Sequence, residues 1–143
     1  MTTLTERNIV KLFDHLWPGM LYVQEHRATC VHNLKTINNC FSKFKHDHNE
    51  LINSLCSLDG IGLTIASGLI WTAFPRTRVP FDKYTLTYAL DKRILRTELI
   101  STDYINASEK IKTHCKINHM TIEDFVRKSL IELEEHEYLM EPK

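Results

Sequence analysis

The chain lacks the cysteine spacing of a metal or redox site. Its four cysteines, Cys30, Cys40, Cys56 and Cys115, stand far apart with no C-x-x-C unit. Zinc and iron–sulfur ligation are therefore not expected, and the thiols read as buried apolar residues in a reducing compartment. No metal and no cofactor is anticipated. Glycine and proline number four each in 143 residues, too few for a flexible linker or a low-complexity tract, and there is no internal repeat. The longest uncharged apolar stretch, Ile61 to Phe74, falls short of the roughly 20 residues that a membrane helix needs. The segment Met1–Arg7 lacks the charged-then-apolar layout of a secretory signal, so the expected location is the cytoplasm. With 43% hydrophobic and 25% charged residues, residues 1–143 are expected to form one domain around one core.

Excess charge of one sign is also missing: the formal net charge is zero. The distribution is uneven, however. From Gly60 to Arg96, six basic residues (Arg76, Arg78, Lys83, Lys92, Arg93, Arg96) face two acids, Asp82 and Asp91. From Thr121 to Lys143, three bases face seven acids. A polyanion responds to the local field, so the basic middle leaves nucleic acid open as a partner. A solvated helix face carrying scattered charges is the plainer alternative.

What is present is helical periodicity. Ile9, Val10, Phe13, Leu16 and Trp17 share a helical face, with Thr3 and Glu6 spaced as a capping box ahead of them. Pro18-Gly19 ends that helix, and Met20–Val23 reads as loop or a helical turn. Cys30, Val31, Leu34, Ile37, Asn38, Phe41 and Phe44 form a second periodic run. Leu51, Ile52, Leu55 and Leu58 form a third, with His46-Asp47-His48 ahead of it as a helix cap or, less simply, a metal cluster. After Asp59-Gly60-Ile61-Gly62 the period resumes through Ile65, Ala66, Leu69, Ile70 and Ala73. Pro75 and Pro80 bracket the loop Arg76-Thr77-Arg78-Val79, and a new helix is expected near Asp82. Another is expected from about Thr102 to His114, and a last one after Thr121 with Ile122, Phe125, Val126, Leu130 and Leu133 as its buried stripe. The fold class is all-α, a compact single domain of six or seven helices.

The turn Leu58-Asp59-Gly60-Ile61-Gly62 joins two of these helices over residues 48–74, the pattern of a helix-hairpin-helix. Glycine suits a positive φ or a close backbone approach. The next helix starts at about Leu63, so free N–H groups at Gly60, Ile61, Gly62, Leu63 and Thr64 form a seat for phosphate, favoured by the helix dipole. Such a contact positions a duplex without reading its bases. An ordinary glycine cap between two packed helices explains the same residues more plainly.

The stretch from Leu55 to Leu90 resembles the helix-hairpin-helix DNA glycosylases, the superfamily of endonuclease III and the adenine and 3-methyladenine glycosylases. The resemblance rests on the hairpin Leu58–Gly62, on Ala66 in the next helix turn, and on Val79-Pro80-Phe81-Asp82 followed by a helix. It implies that Asp82 is the catalytic carboxylate. Cleaving an N-glycosidic bond builds positive charge on the sugar, which a carboxylate stabilises, and the target base must leave the stack to be reached. Read alone, Asp82 is a helix N-cap. Lyase members of the family carry a lysine where this chain has Thr64, so the resemblance implies hydrolysis by water and no Schiff base. The family's four-cysteine cluster motif is missing, since only Cys115 lies beyond the hairpin. About 57 residues precede the hairpin, fewer than is usual in the family. That implies a trimmed version with an opening wide enough for a bulky base.

Other residues join this reading. Arg76, Arg78 and Lys83 are candidate phosphate contacts, or plain surface charges. Trp71 and Tyr84 are candidates to stack on a flipped base, or core aromatics. Glu132, Glu134, Glu135 and Glu137 read as the solvated face of the last helix. The expected function is a monofunctional DNA glycosylase acting on double-stranded DNA with a damaged or modified base, in repair or in antiviral defence against modified DNA. No membrane and no obligate protein partner is implied. The alternatives are a non-catalytic helix-hairpin-helix module and a helical interaction protein.

Overall fold

The computed structural model describes residues 3–96 and 103–140, with the backbone alone over 134–140. Among the described residues it is all-helical, with eight helices rather than six or seven and no strand. Among the described residues no helix is long and apolar enough to cross a membrane.

Helix α1 (Glu6–Leu16) buries Ile9, Leu12, Phe13 and Leu16 and ends at Trp17, before Pro18-Gly19. Its capping box is formed by Thr5 and Asn8 rather than by Thr3 and Glu6: the Thr5 hydroxyl accepts from the Asn8 N–H, and Asn8 Oδ1 accepts from the Thr5 N–H. The second periodic run is two helices, α2 (Val23–His32) and α3 (Leu34–Lys43). Asn33 parts them with φ −96° and ψ 15°, and its side chain donates to the Thr29 carbonyl at 2.8 Å. An asparagine that bonds the preceding turn in this way competes with helix continuation while leaving the apolar spacing intact.

Helix α4 (His48–Cys56) is capped by Asp47, whose side chain accepts from the Glu50 N–H. That gives the His46-Asp47-His48 triplet its cap, and among the described residues no group of His, Cys, Asp or Glu is arranged to hold a metal. Helix α5 (Leu63–Ala73) is the central element. Every residue from Ile65 to Trp71 is buried, as expected of a helix surrounded by others. Helix α6 (Lys83–Asp91) follows, then α7 (Tyr104–Ile117), capped by Asp103, and α8 (Ile122–Met140), capped by Thr121 and Asp124. The expected α7 boundary at Thr102 lies outside the described residues, as do the side chains of Glu134, Glu135 and Glu137.

Helix α5 packs between α1 and α4, while α6 packs on α8. Phe13, Phe81 and Phe125 are among the fully buried side chains of one continuous core. Cys30 and Cys115 sit in it as free thiols. Burial pushes the Cys30 thiol up to about 12, and burial with the nearby Asp124 pushes Cys115 up to about 11. Both are inert at neutral pH.

Candidate active site

Two turns flank α5, and both bear on Asp82. The first, between α4 and α5, carries the glycines. Gly60 has φ +80°, a conformation that favours glycine, and a Cβ there would stand 3.1 Å from Thr29 Cγ2. Ile61 is buried and its N–H donates to the Leu58 carbonyl at 3.1 Å. Gly62 is the N-cap of α5, exposed, with nothing within 4 Å of a Cβ placed on it. No side chain caps this terminus.

The second turn runs from Phe74 to Asp82. Phe74 accepts from the N–H groups of both Thr77 and Arg78. Beyond them the chain is buried: Val79 and Phe81 have no exposed surface. Three side chains from three elements hold this backbone. Ser67 Oγ of α5 accepts from the Phe81 N–H at 2.7 Å, Thr85 Oγ1 of α6 donates to the Pro80 carbonyl at 2.6 Å, and the Tyr104 hydroxyl of α7 donates to the Val79 carbonyl at 2.9 Å. Burial raises the Tyr104 hydroxyl's pKa well above the usual phenol range, so it remains a donor.

Asp82 is therefore carried on a fixed backbone, and it is 5% exposed. Its Oδ1 accepts from the N–H groups of Tyr84 and Thr85 at 3.0 and 2.9 Å, which makes it the N-cap of α6. Its Oδ2 accepts from the indole N–H of Trp17 at 3.2 Å, a contact across 65 residues. Asp82 also lines a cavity of about 450 Å³. Leu16, Trp17 and Met20 supply apolar wall from the α1 end and the turn after it, Thr64 comes from the first turn of α5, and Lys83 and Tyr84 from α6. Capping a helix and lining a cavity are thus not exclusive here: Oδ1 takes both capping bonds, and Oδ2 takes the bond from Trp17.

The remaining candidates separate. Tyr84 is half-buried on the cavity wall, and the exposed Lys83 places its ammonium 5.0 Å from the centre of the Tyr84 ring. Arg76 is exposed on the second turn. Arg78 is engaged inward instead of outward: its Nε donates to His48 Nδ1 at 2.7 Å, and its Nη1 donates to the Thr77 carbonyl and to Glu109 at 3.1 and 3.3 Å. Its side chain is 13% exposed. Burial first, and then the Arg78 charge, lower the His48 pKa, so the imidazole stays a neutral acceptor. Trp71 does not join the cavity. It is buried and stacked with His15 at 6.0 Å between centroids, lining a separate depression beside Lys11 and Glu123. The aromatic that does touch Asp82 is Trp17, which its periodicity had placed simply on the buried face of α1. One local signal pointed to it: Gly68, an isolated glycine inside an apolar helix, marks a close approach by a neighbour.

A carboxylate fixed by two backbone N–H groups and an indole N–H beside a largely apolar cavity suits the stabilisation of a developing cation, because it is already in place when that charge forms. Set against known protein families, characterised proteins and solved structures, the chain matches none of them.

Proposed function

We propose that the chain is a monofunctional DNA glycosylase of the helix-hairpin-helix kind, hydrolysing the N-glycosidic bond of a damaged or modified base to leave an abasic site. The observation that carries this reading is the meeting of Asp82 with Thr64 on one cavity, directly beyond the uncapped start of α5. A duplex whose phosphate rests on the N–H groups at Gly62–Thr64 would bring an extruded nucleotide toward Asp82. The Asp82 carboxylate would then stabilise the oxocarbenium-like sugar while water attacks.

A cavity of about 450 Å³ lies within the range of small-molecule sites and supports a base with bulky substituents. Tyr84 offers an aromatic face for it, and Arg76 and Lys83 offer charge to flanking phosphates. Such an enzyme would serve excision repair or defence against DNA with modified bases.

A second reading, a non-catalytic module that docks on DNA, is favoured by the two capping bonds of Asp82, which give it a structural task of its own. The two readings are distinguished by incubating the protein with duplexes that each carry one modified base. The glycosylase releases free base and leaves a strand that stays intact until alkali or heat cleaves it. With Thr64 in place of an amine, borohydride traps little covalent adduct; efficient trapping would instead implicate Lys83 on the cavity rim. Binding to every duplex with no base released would establish the docking module.

A further inference from the structure

Resting on the glycosylase reading, we infer that Trp17 is a positioning residue for Asp82 and that Gly68 provides the space that seats it. The local bonds to Oδ1 suffice to cap α6, as any N-cap aspartate would. The bond to Oδ2 is different in kind. It is buried, charge-assisted, and comes from the far end of α1, so capping does not require it. Trp17 is itself fixed from two sides. Phe13 meets its ring edge-to-face at 5.0 Å between centroids, and on the other side the ring reaches α5 at Gly68. A Cβ at position 68 would stand 2.5 Å from Trp17 Cη2, closer than real Cβ contacts come, and a tight 3.1 Å from Cζ2, so the indole would have to shift.

Glycine is a poor residue for the middle of a helix, and no positive φ demands it at Gly68. The missing Cβ is what admits the indole. Packing alone does not explain the outcome, because the chain's other tryptophan, Trp71, is buried in the same core with its Nε1 lacking any partner among the described residues. Trp17 also lines the cavity, so one ring both holds Oδ2 and forms apolar wall beside it. Its place fixes the direction of the carboxylate toward anything bound there.

The test combines single-turnover excision, duplex affinity and indole N–H resonances. Trp17→Phe removes the N–H and the outer ring edge while keeping an aromatic core residue. The rate per folded molecule is expected to fall about 10- to 100-fold, the scale of a small misplacement of a reacting group, with affinity within about twofold. Gly68→Ala is expected to lower the rate in the wild-type background but to add little on top of Trp17→Phe, because phenylalanine lacks the atoms that the new methyl would strike. This non-additivity marks two residues acting through one contact. Wild-type excision with full-rate Trp17→Phe or strictly additive effects would overturn the inference and leave the glycosylase reading intact. Should Trp17→Phe not fold, Gly68→Ala and the spectra decide. Asp82→Asn should move the Trp17 indole resonance and leave that of Trp71 in place; an unmoved Trp17 signal overturns the inference whatever the activity. Absence of excision by the wild type on every duplex, with the Trp17 signal still moving, would overturn the glycosylase reading and, with it, the catalytic purpose of the contact.

Discussion

The two turns on either side of α5 are built in opposite ways. The turn at Ser57–Gly62 ends at an exposed glycine with no side-chain cap and open space around it. The turn at Phe74–Asp82 is exposed at Pro75 and Arg76 but buried from Val79 to Asp82, where side chains from α5, α6 and α7 bond its backbone. One leaves a helix start without a side-chain cap among the described residues, and the other takes freedom away from the residue it carries. Donors left open at a helix start suit an anion that arrives from outside, while an over-determined backbone suits a group that must already be in place. The second turn borders the cavity through Asp82 itself, and the helix that leaves the first turn borders it through Thr64.

Stability should respond most at the second turn, and at the first only where its backbone is left-handed. Ser67→Ala leaves the Phe81 N–H buried without an acceptor and is expected to cost about 1–3 kcal/mol, read as a fall in the denaturant midpoint with an unchanged slope. A smaller loss, about 1–2 kcal/mol, is expected for Gly60→Ala, which forces a side chain into the left-handed region. Gly62→Ala should be within about 0.5 kcal/mol of wild type, since its backbone is extended and its surroundings are open. If Ser67→Ala were as harmless as Gly62→Ala, the contrast between the turns would fail.

Binding should reverse the order. Gly62→Glu places a carboxylate where a phosphate is proposed to rest. It is expected to weaken affinity for all duplexes alike, about three- to tenfold for a lost contact of about 0.7–1.4 kcal/mol at a helix terminus. Weakening confined to one sequence or one modified base would contradict a phosphate seat, because such a contact reads no base.

The smallest effect concerns pH. The His48 pKa is lowered in the folded protein, chiefly by burial and then by Arg78. The unfolded chain therefore takes up this proton at higher pH than the folded one. The contribution of neutral His48 is full above its ordinary value of about 6.5 and is lost as pH falls from there through the folded value. His48→Gln, which retains a possible acceptor for Arg78 Nε, is expected to flatten that part of the stability profile. An unchanged slope would remove His48 from the anchoring of the second turn.

Much of this arrangement was legible in the sequence where local chemistry decides. Asp47, Asp82 and Thr121 announce their helix starts, and the paired glycines announce the first turn. Local competition caused the errors of detail: Thr5 lies two residues from Thr3 and finds Asn8, and Asn33 breaks a run whose apolar period continues through it. Apart from the isolated Gly68 beside Trp17, the site's long-range contacts had no local signature. Arg78 reads as a free cation until His48 and Glu109 are brought to it, and Trp17 reads as core until folding closes 65 residues of chain onto Asp82. Side-chain direction at such positions is set by tertiary packing, which periodicity does not encode.

Asp82 is proposed to be a catalytic carboxylate and not only a cap. Asparagine caps a helix about as well as aspartate, so Asp82→Asn separates the two roles in one measurement: single-turnover base release beside duplex affinity, on protein shown to be folded. A catalytic Asp82 gives a rate loss of at least about 10²–10³-fold with affinity unchanged or slightly higher. Base release near the wild-type rate would reduce Asp82 to the N-cap of α6 and remove it from catalysis.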